Sequence, residues 1–135
     1  KTLQDCRFAE LREGVWLRPN NLDRELPASV LARTRVLLSK DGYPQELTRL
    51  LWDLVDWAEH ARKLLYDLAS TDIAADRFMI AAAMVRHLLA DPILPPELLP
   101  ADWPADELRA AYGQFAAELG ARRGNAGQPM EVASR

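Results

Sequence analysis

The sequence predicts an α+β fold that is mainly α: a three-helix C-terminal bundle preceded by a small partial sheet, a β-hairpin plus one strand. Three observations point there. Apolar residues recur at three- and four-residue spacing over Pro44–Ala69, the mark of an amphipathic helix. A second run, Phe78–Val85, is apolar on every side, as in a helix surrounded by others. Between it and the next helical segment, Asp91–Pro104 holds five of the nine prolines. Proline fixes φ and lacks an N–H, so this stretch is neither a helix interior nor a central strand.

At the N-terminus, Phe8–Leu11 and Val15–Pro19 flank Arg12-Glu13-Gly14. Two short runs around a glycine turn predict a hairpin. Val15 and Leu17 alternate with Trp16 and Arg18 in a half-buried pattern, and Pro19 ends it. Asn20–Arg24 reads as a polar turn and Pro27–Ala32 as a short helix with proline at its start. Thr34–Ser39 is the further strand, stopped by Asp41-Gly42.

Pro44–Ala69 is expected to be one long helix, its stripe built from Leu47, Leu50, Leu51, Leu54, Ala58, Ala61, Leu65 and Leu68. Trp52 and Trp57 are five residues apart and point in different directions, so at least one lies off the stripe, against the sheet or in a pocket wall. Ser70-Thr71-Asp72 supplies cap chemistry for the next helix, and Asp72 and Asp76 suit its positive end. That helix ends at Ala90 or Asp91, because residues before proline avoid the α region. In the proline-rich stretch Ile93, Leu94, Leu98, Leu99 and Trp103 are apolar, which predicts a stiff packed connector. The Asp91 carboxylate is placed to accept backbone N–H groups there. Pro104 opens a third helix, Ala105–Leu119, with Leu108, Tyr112, Phe115 and Leu119 on one face and Gly120 as its cap. The remainder reads as a mobile tail. The expected division is therefore 1–43 for the sheet region, 44–120 for the helices and 121–135 for the tail.

With 135 residues and 49% apolar content the chain can bury a core. A net charge of −3 argues against a nucleic-acid clamp. Cys6 is alone, so no internal disulfide is expected, in keeping with a reducing cytoplasm. No run is long enough for a membrane span and no secretory leader is evident. His60 and His87 have no metal-ligand spacing, Asp53/Asp56 and Asp102/Asp106 suit solvated helix faces, and no glycine-rich phosphate loop follows a strand. The expectation is a non-enzyme without metal or cofactor. Arg18 and Arg86 are side chains able to hold a phosphate or carboxylate by two points. With Trp52, Trp57 and His87 they make up the candidate ligand-binding set.

Three phrases carry a family resemblance. They are Asp91-Pro92-x-Leu94-Pro95-x-x-Leu98-Leu99-Pro100-x-Asp102-Trp103-Pro104, Phe8-x-x-Leu11-x-x-Gly14-Val15-Trp16-x-x-Pro19, and Trp52-Asp53-Leu54. The chain resembles the PaaX family of transcriptional repressors, which regulate phenylacetate catabolism in bacteria. Two departures stand out. Arg7 replaces the glycine that opens the second phrase, and Val85-Arg86-His87 stands where the family has a Trp-Arg-basic phrase. The resemblance implies an N-terminal winged-helix DNA-binding domain, a ferredoxin-like middle domain and a helical C-terminal domain. It also implies a dimer released from its operator by an aryl-CoA such as phenylacetyl-CoA. This chain would then be the effector-sensing and dimerising part. It would begin midway through the ferredoxin-like domain, with an exposed sheet edge, and would reach DNA only through a domain outside it. Two other readings stand beside this one. One is a structural helical interaction module without a small-molecule ligand. The other is a nuclease-related protein, since CRISPR-associated endoribonucleases share the ferredoxin-like fold. That chemistry needs acidic metal ligands from a first strand that this sequence lacks.

Overall fold

The structure, a computed structural model, describes residues 2–126. It is mainly helical, with a two-stranded antiparallel sheet near the N-terminus, so the α+β class holds. The chain divides into two compact units, Lys1–His60 with Leu89–Trp103, and Ala61–Leu88 with Pro104–Arg135.

The first unit opens on a capped turn. The Thr2 N–H donates to the Asp5 carboxylate and the Asp5 N–H to Thr2 Oγ1, a reciprocal pair that satisfies two free donors. The turn closes when the Phe8 N–H donates to the Leu3 carbonyl and the Arg7 N–H to that of Gln4. This is the Schellman pattern, and it puts Arg7 at φ 67°. Strands β1 (Ala9–Arg12) and β2 (Val15–Leu17) follow as the expected hairpin, with Ala9 opposite Leu17 and Arg12 opposite Val15. Gly14, at φ 77°, makes the turn that a side chain would strain.

The third strand does not form. Thr34–Ser39 has no strand pairing, and its Leu37 and Leu38 are 79% and 80% exposed. A strand exists only with a neighbour to complete its ladder, and in the described residues β1 and β2 pair only with each other. Between them and the helices lies α1 (Ala28–Leu31), within the stretch expected to be helical.

The long helix is two helices, α2 (Pro44–Leu51) and α3 (Leu54–Ala69). Trp52 is extended, with φ −136° and ψ 136°. The break has a local cause. Asp53 acts as an N-cap, its carboxylate accepting the Asp56 N–H at 2.9 Å while its carbonyl accepts the Trp57 N–H. The apolar face turns accordingly. Leu50 is 76% exposed, and the buried face of α3 runs through Leu54, Trp57, Ala58, Ala61, Leu64 and Leu68.

The proline-rich connector is packed, as expected. Asp91, Pro92 and Leu94 are buried, and a 3₁₀ turn covers Pro96–Leu98. The Ile93 N–H donates to Asp91 Oδ1 at 2.9 Å, and the Asn21 amide donates to the Ile93 carbonyl at 2.8 Å. Trp103 stacks on Trp57 with ring centroids 4.6 Å apart.

The second unit contains the latter half of α3, then α4 (Ala74–Leu89) and α5 (Ala105–Ala126). Arg77 of α4 ties these together. Its guanidinium donates to the Leu68 and Thr71 carbonyls, lies 3.5 Å from the Glu118 carboxylate and sits over the Phe115 ring. Two expectations need correcting. α4 is not surrounded: Ala81 and Met84 are buried but Phe78 and Met79 are exposed, so burial follows one face and not the run of apolar residues. And α5 does not stop at Gly120 but runs to Ala126, because a single glycine weakens a helix without ending it. The rest of the expected tail, 127–135, lies outside the described residues.

Candidate functional site

Two cavities in the first unit meet at the α2–α3 break. One, of about 360 Å³, is walled by Leu11 and Leu17 of the hairpin and by Leu47, Leu51, Trp52 and Leu98. Arg18, Lys40 and Asp41 are its charged lining. The other, of about 600 Å³, shares Thr48, Trp52 and Leu98 with the first and adds Arg49, Asp53, Val55, Glu97 and Leu99. Trp52 reaches both because the extended residue between two helices directs its indole away from either helical stripe.

The candidate ligand residues fall in different settings. Trp52 is half-buried in the cavity walls. Arg18 lines the smaller cavity, but one arm of its guanidinium donates to the Cys6 carbonyl at 2.7 Å and the group lies 4.7 Å from the centre of the Phe8 ring. One of its five N–H donors and one face of the guanidinium therefore hold the N-terminal turn against the hairpin. Trp57, 7% exposed, is stacked in the core. Arg86 is exposed and His87 half-buried at the end of α4, in the second unit; neither lines these two cavities.

The motif residues mostly serve the backbone. Gly14 turns the hairpin, Trp16 and Pro19 are half-buried along its second strand and exit, and Pro95 and Leu99 flank the 3₁₀ turn. Leu98 lines both cavities, Pro100 borders the larger one, and Pro104 is fully buried before α5. Asp102 adopts φ 57°, a conformation an aspartate tolerates better than most residues, and this aims Trp103 into its stack.

Sequence reasoning passed over two residues. Lys40 is the lysine of the smaller cavity, and only its place beside the Asp41-Gly42 stop signalled it. Arg7 donates to the Leu89 and Asp91 carbonyls, the second at 2.7 Å, and its signal was an arginine where the phrase has glycine. Among the described residues no three His, Cys, Asp or Glu side chains are grouped to hold a metal ion, and no helix is long and apolar enough to cross a membrane.

The chain matches known proteins in two ways. The PaaX-like protein C-terminal domain matches residues 45–126. The structure is similar to that of an uncharacterized protein, Rv0674, from Mycobacterium tuberculosis, with 53% sequence identity and a TM-score of 0.83. That likeness covers 91% of this chain and 54% of the other, so the chain spans about half the length of its solved relative. Among curated proteins none matches. The family domain takes in α2 from its second residue, α3, α4, the proline-rich connector and α5, and on that match the chain belongs to the PaaX-like protein family.

Proposed function

We propose that this chain is the effector-sensing and dimerising part of a PaaX-like bacterial transcriptional repressor, and that its effector is an aryl-CoA thioester such as phenylacetyl-CoA. The observation that carries this reading is an apolar cavity at a helix break on the edge of the family domain. Leu17, Leu47, Leu51 and Trp52 offer a flat, apolar enclosure suited to an aromatic acyl group. Lys40, with what remains of the Arg18 hydrogen-bonding capacity, suits the anionic nucleotide end. A ligand wedged against Trp52 has leverage on the angle between α2 and α3. Differential binding to two such arrangements is what an effector needs to shift a population. In this reading the protein works in the cytoplasm as a homodimer, and DNA is read by a winged-helix domain outside this chain.

Calorimetry and thermal denaturation with phenylacetyl-CoA, free CoA and phenylacetate test it. The expected result is a rise in melting temperature, greatest for the thioester, with Trp52 fluorescence changing on binding and Trp52→Ala losing the response. A stable dimer indifferent to every acyl-CoA would replace this reading with a structural interaction module. Metal-dependent RNA cleavage would replace it with the nuclease-related one.

A further inference from the structure

In the second unit a trough of about 420 Å³ runs between α4 and α5, a volume in the range of small-molecule sites. Phe78, Val85, Tyr112 and Phe115 wall it, while Ala82 and Gly120 leave it open. Its lining along α5 extends from Tyr112 to Arg123, about 16 Å at the helical rise. Arg123 is the single charged residue in that lining. A smaller cavity of about 120 Å³ shares Phe78, Phe115 and Leu119 with the trough and adds Arg77, Arg122 and Glu118. Glu118 already faces Arg77 at 3.5 Å. One end of the groove is thus net positive and the rest is apolar.

We propose that this trough binds an amphipathic carboxylate, a medium-chain alkyl acid whose chain lies between α4 and α5 and whose head is held by Arg123. An alkyl chain gains by leaving water along Phe78, Val85 and Phe115, in proportion to the area covered. A guanidinium holds a carboxylate by two parallel N–H···O bonds. A neutral alcohol of the same length keeps the first gain and loses the second. A quaternary ammonium of that length meets like charge. No residue of the first unit takes part, so the site is independent of the effector reading.

Calorimetry and thermal denaturation of the whole chain with decanoate and decyltrimethylammonium below their micelle concentrations, and decanol below its solubility limit, test the site. Decanoate is expected to bind about tenfold more tightly than decanol, and Arg123→Gln to erase that difference. Gly120→Leu is expected to abolish decanoate binding and leave helical content intact. A Cβ at Gly120 meets nothing within 4 Å, and leucine favours the helix over glycine, so the variant keeps its fold while filling the groove. Trp52→Ala is expected to leave decanoate binding unchanged. Undiminished binding by Gly120→Leu, equal binding of the three amphiphiles, or no binding overturns the proposal. A decanoate-insensitive dimer that Gly120→Leu breaks also overturns it, and gives the trough to a second copy of the chain.

Discussion

The guanidinium of Arg7 donates to the main-chain carbonyl of Asp91 at 2.7 Å, and also to that of Leu89. Leu89 is the last residue of α4, where carbonyls have no partner within the helix and a positive charge is favourable. The same arginine stands at φ 67°, in the left-handed region that glycine occupies without penalty. Arginine at this position therefore gives up the unstrained backbone that a glycine would have and gains a clamp on the start of the connector.

A three-member series separates the two effects. Arg7→Gly relieves the backbone by about 1 kcal/mol but gives up two charge-assisted hydrogen bonds worth about 1.5 kcal/mol or more each. Arg7→Ala loses the clamp and keeps the strain. The expected order of stability is arginine, then glycine, then alanine, with glycine about 2 kcal/mol or more below the parent and alanine about 1 kcal/mol lower again. Urea denaturation of the three proteins measures it. Glycine at or above the parent would show that the clamp adds nothing.

Ile93 and Leu94 are neighbours whose substitutions should behave oppositely. Ile93 has φ 50°, a conformation rarely adopted by β-branched residues, and is held there by Asp91 and Asn21. Its side chain is only half-buried. Ile93→Gly trades about 1 kcal/mol of lost burial against relief of comparable size, so it should change stability by less than about 0.5 kcal/mol. Leu94 is 5% exposed, and Leu94→Ala should cost about 2–4 kcal/mol. Chemical denaturation of the pair checks both, and a large loss in Ile93→Gly would mean that the strain is illusory.

The stack of Trp57 on Trp103 fastens the connector to α3, with the ring planes 20° apart. Trp57→Ala, at a 7% exposed site, should cost about 3–5 kcal/mol. The part that belongs to the pair emerges from a double-mutant cycle with Trp103→Leu, expected to give a coupling of about 1 kcal/mol. Additive losses would mean that the rings are buried side by side without a specific interaction.

Legibility followed the range of the interaction. The hairpin was readable because Gly14 and the alternation after it act within a few residues. The connector was readable because prolines exclude helix and strand alike. The α2–α3 break was hidden by a stripe whose spacing carries through it; the contrary signal was a single aspartate, Asp53, with the capping chemistry of an N-terminus. Thr34–Ser39 has strand composition, but composition cannot supply a pairing neighbour. At the site, the five-residue spacing of Trp52 and Trp57 shows that at least one lies off the stripe but not which, and the engagement of Arg18 with Cys6 and Phe8 depends on how the hairpin folds back on the first turn.

Glycines in the two units should respond to alanine with opposite signs. Gly14 has φ 77°, and a Cβ there is strained even though the space around it is open. Gly14→Ala should therefore destabilise by about 1–2 kcal/mol. Gly113 and Gly120 lie inside α5, exposed, with nothing within 4 Å of an added Cβ. There alanine lowers the entropy of the unfolded chain and favours the helix, so each substitution should add about 0.8 kcal/mol. Melting temperatures of the three single variants decide it. If α5 ended at Gly120 in a left-handed cap, Gly120→Ala would lower the melting temperature in the manner of Gly14→Ala; a rise matching Gly113→Ala is the outcome that a helix continuing to Ala126 requires.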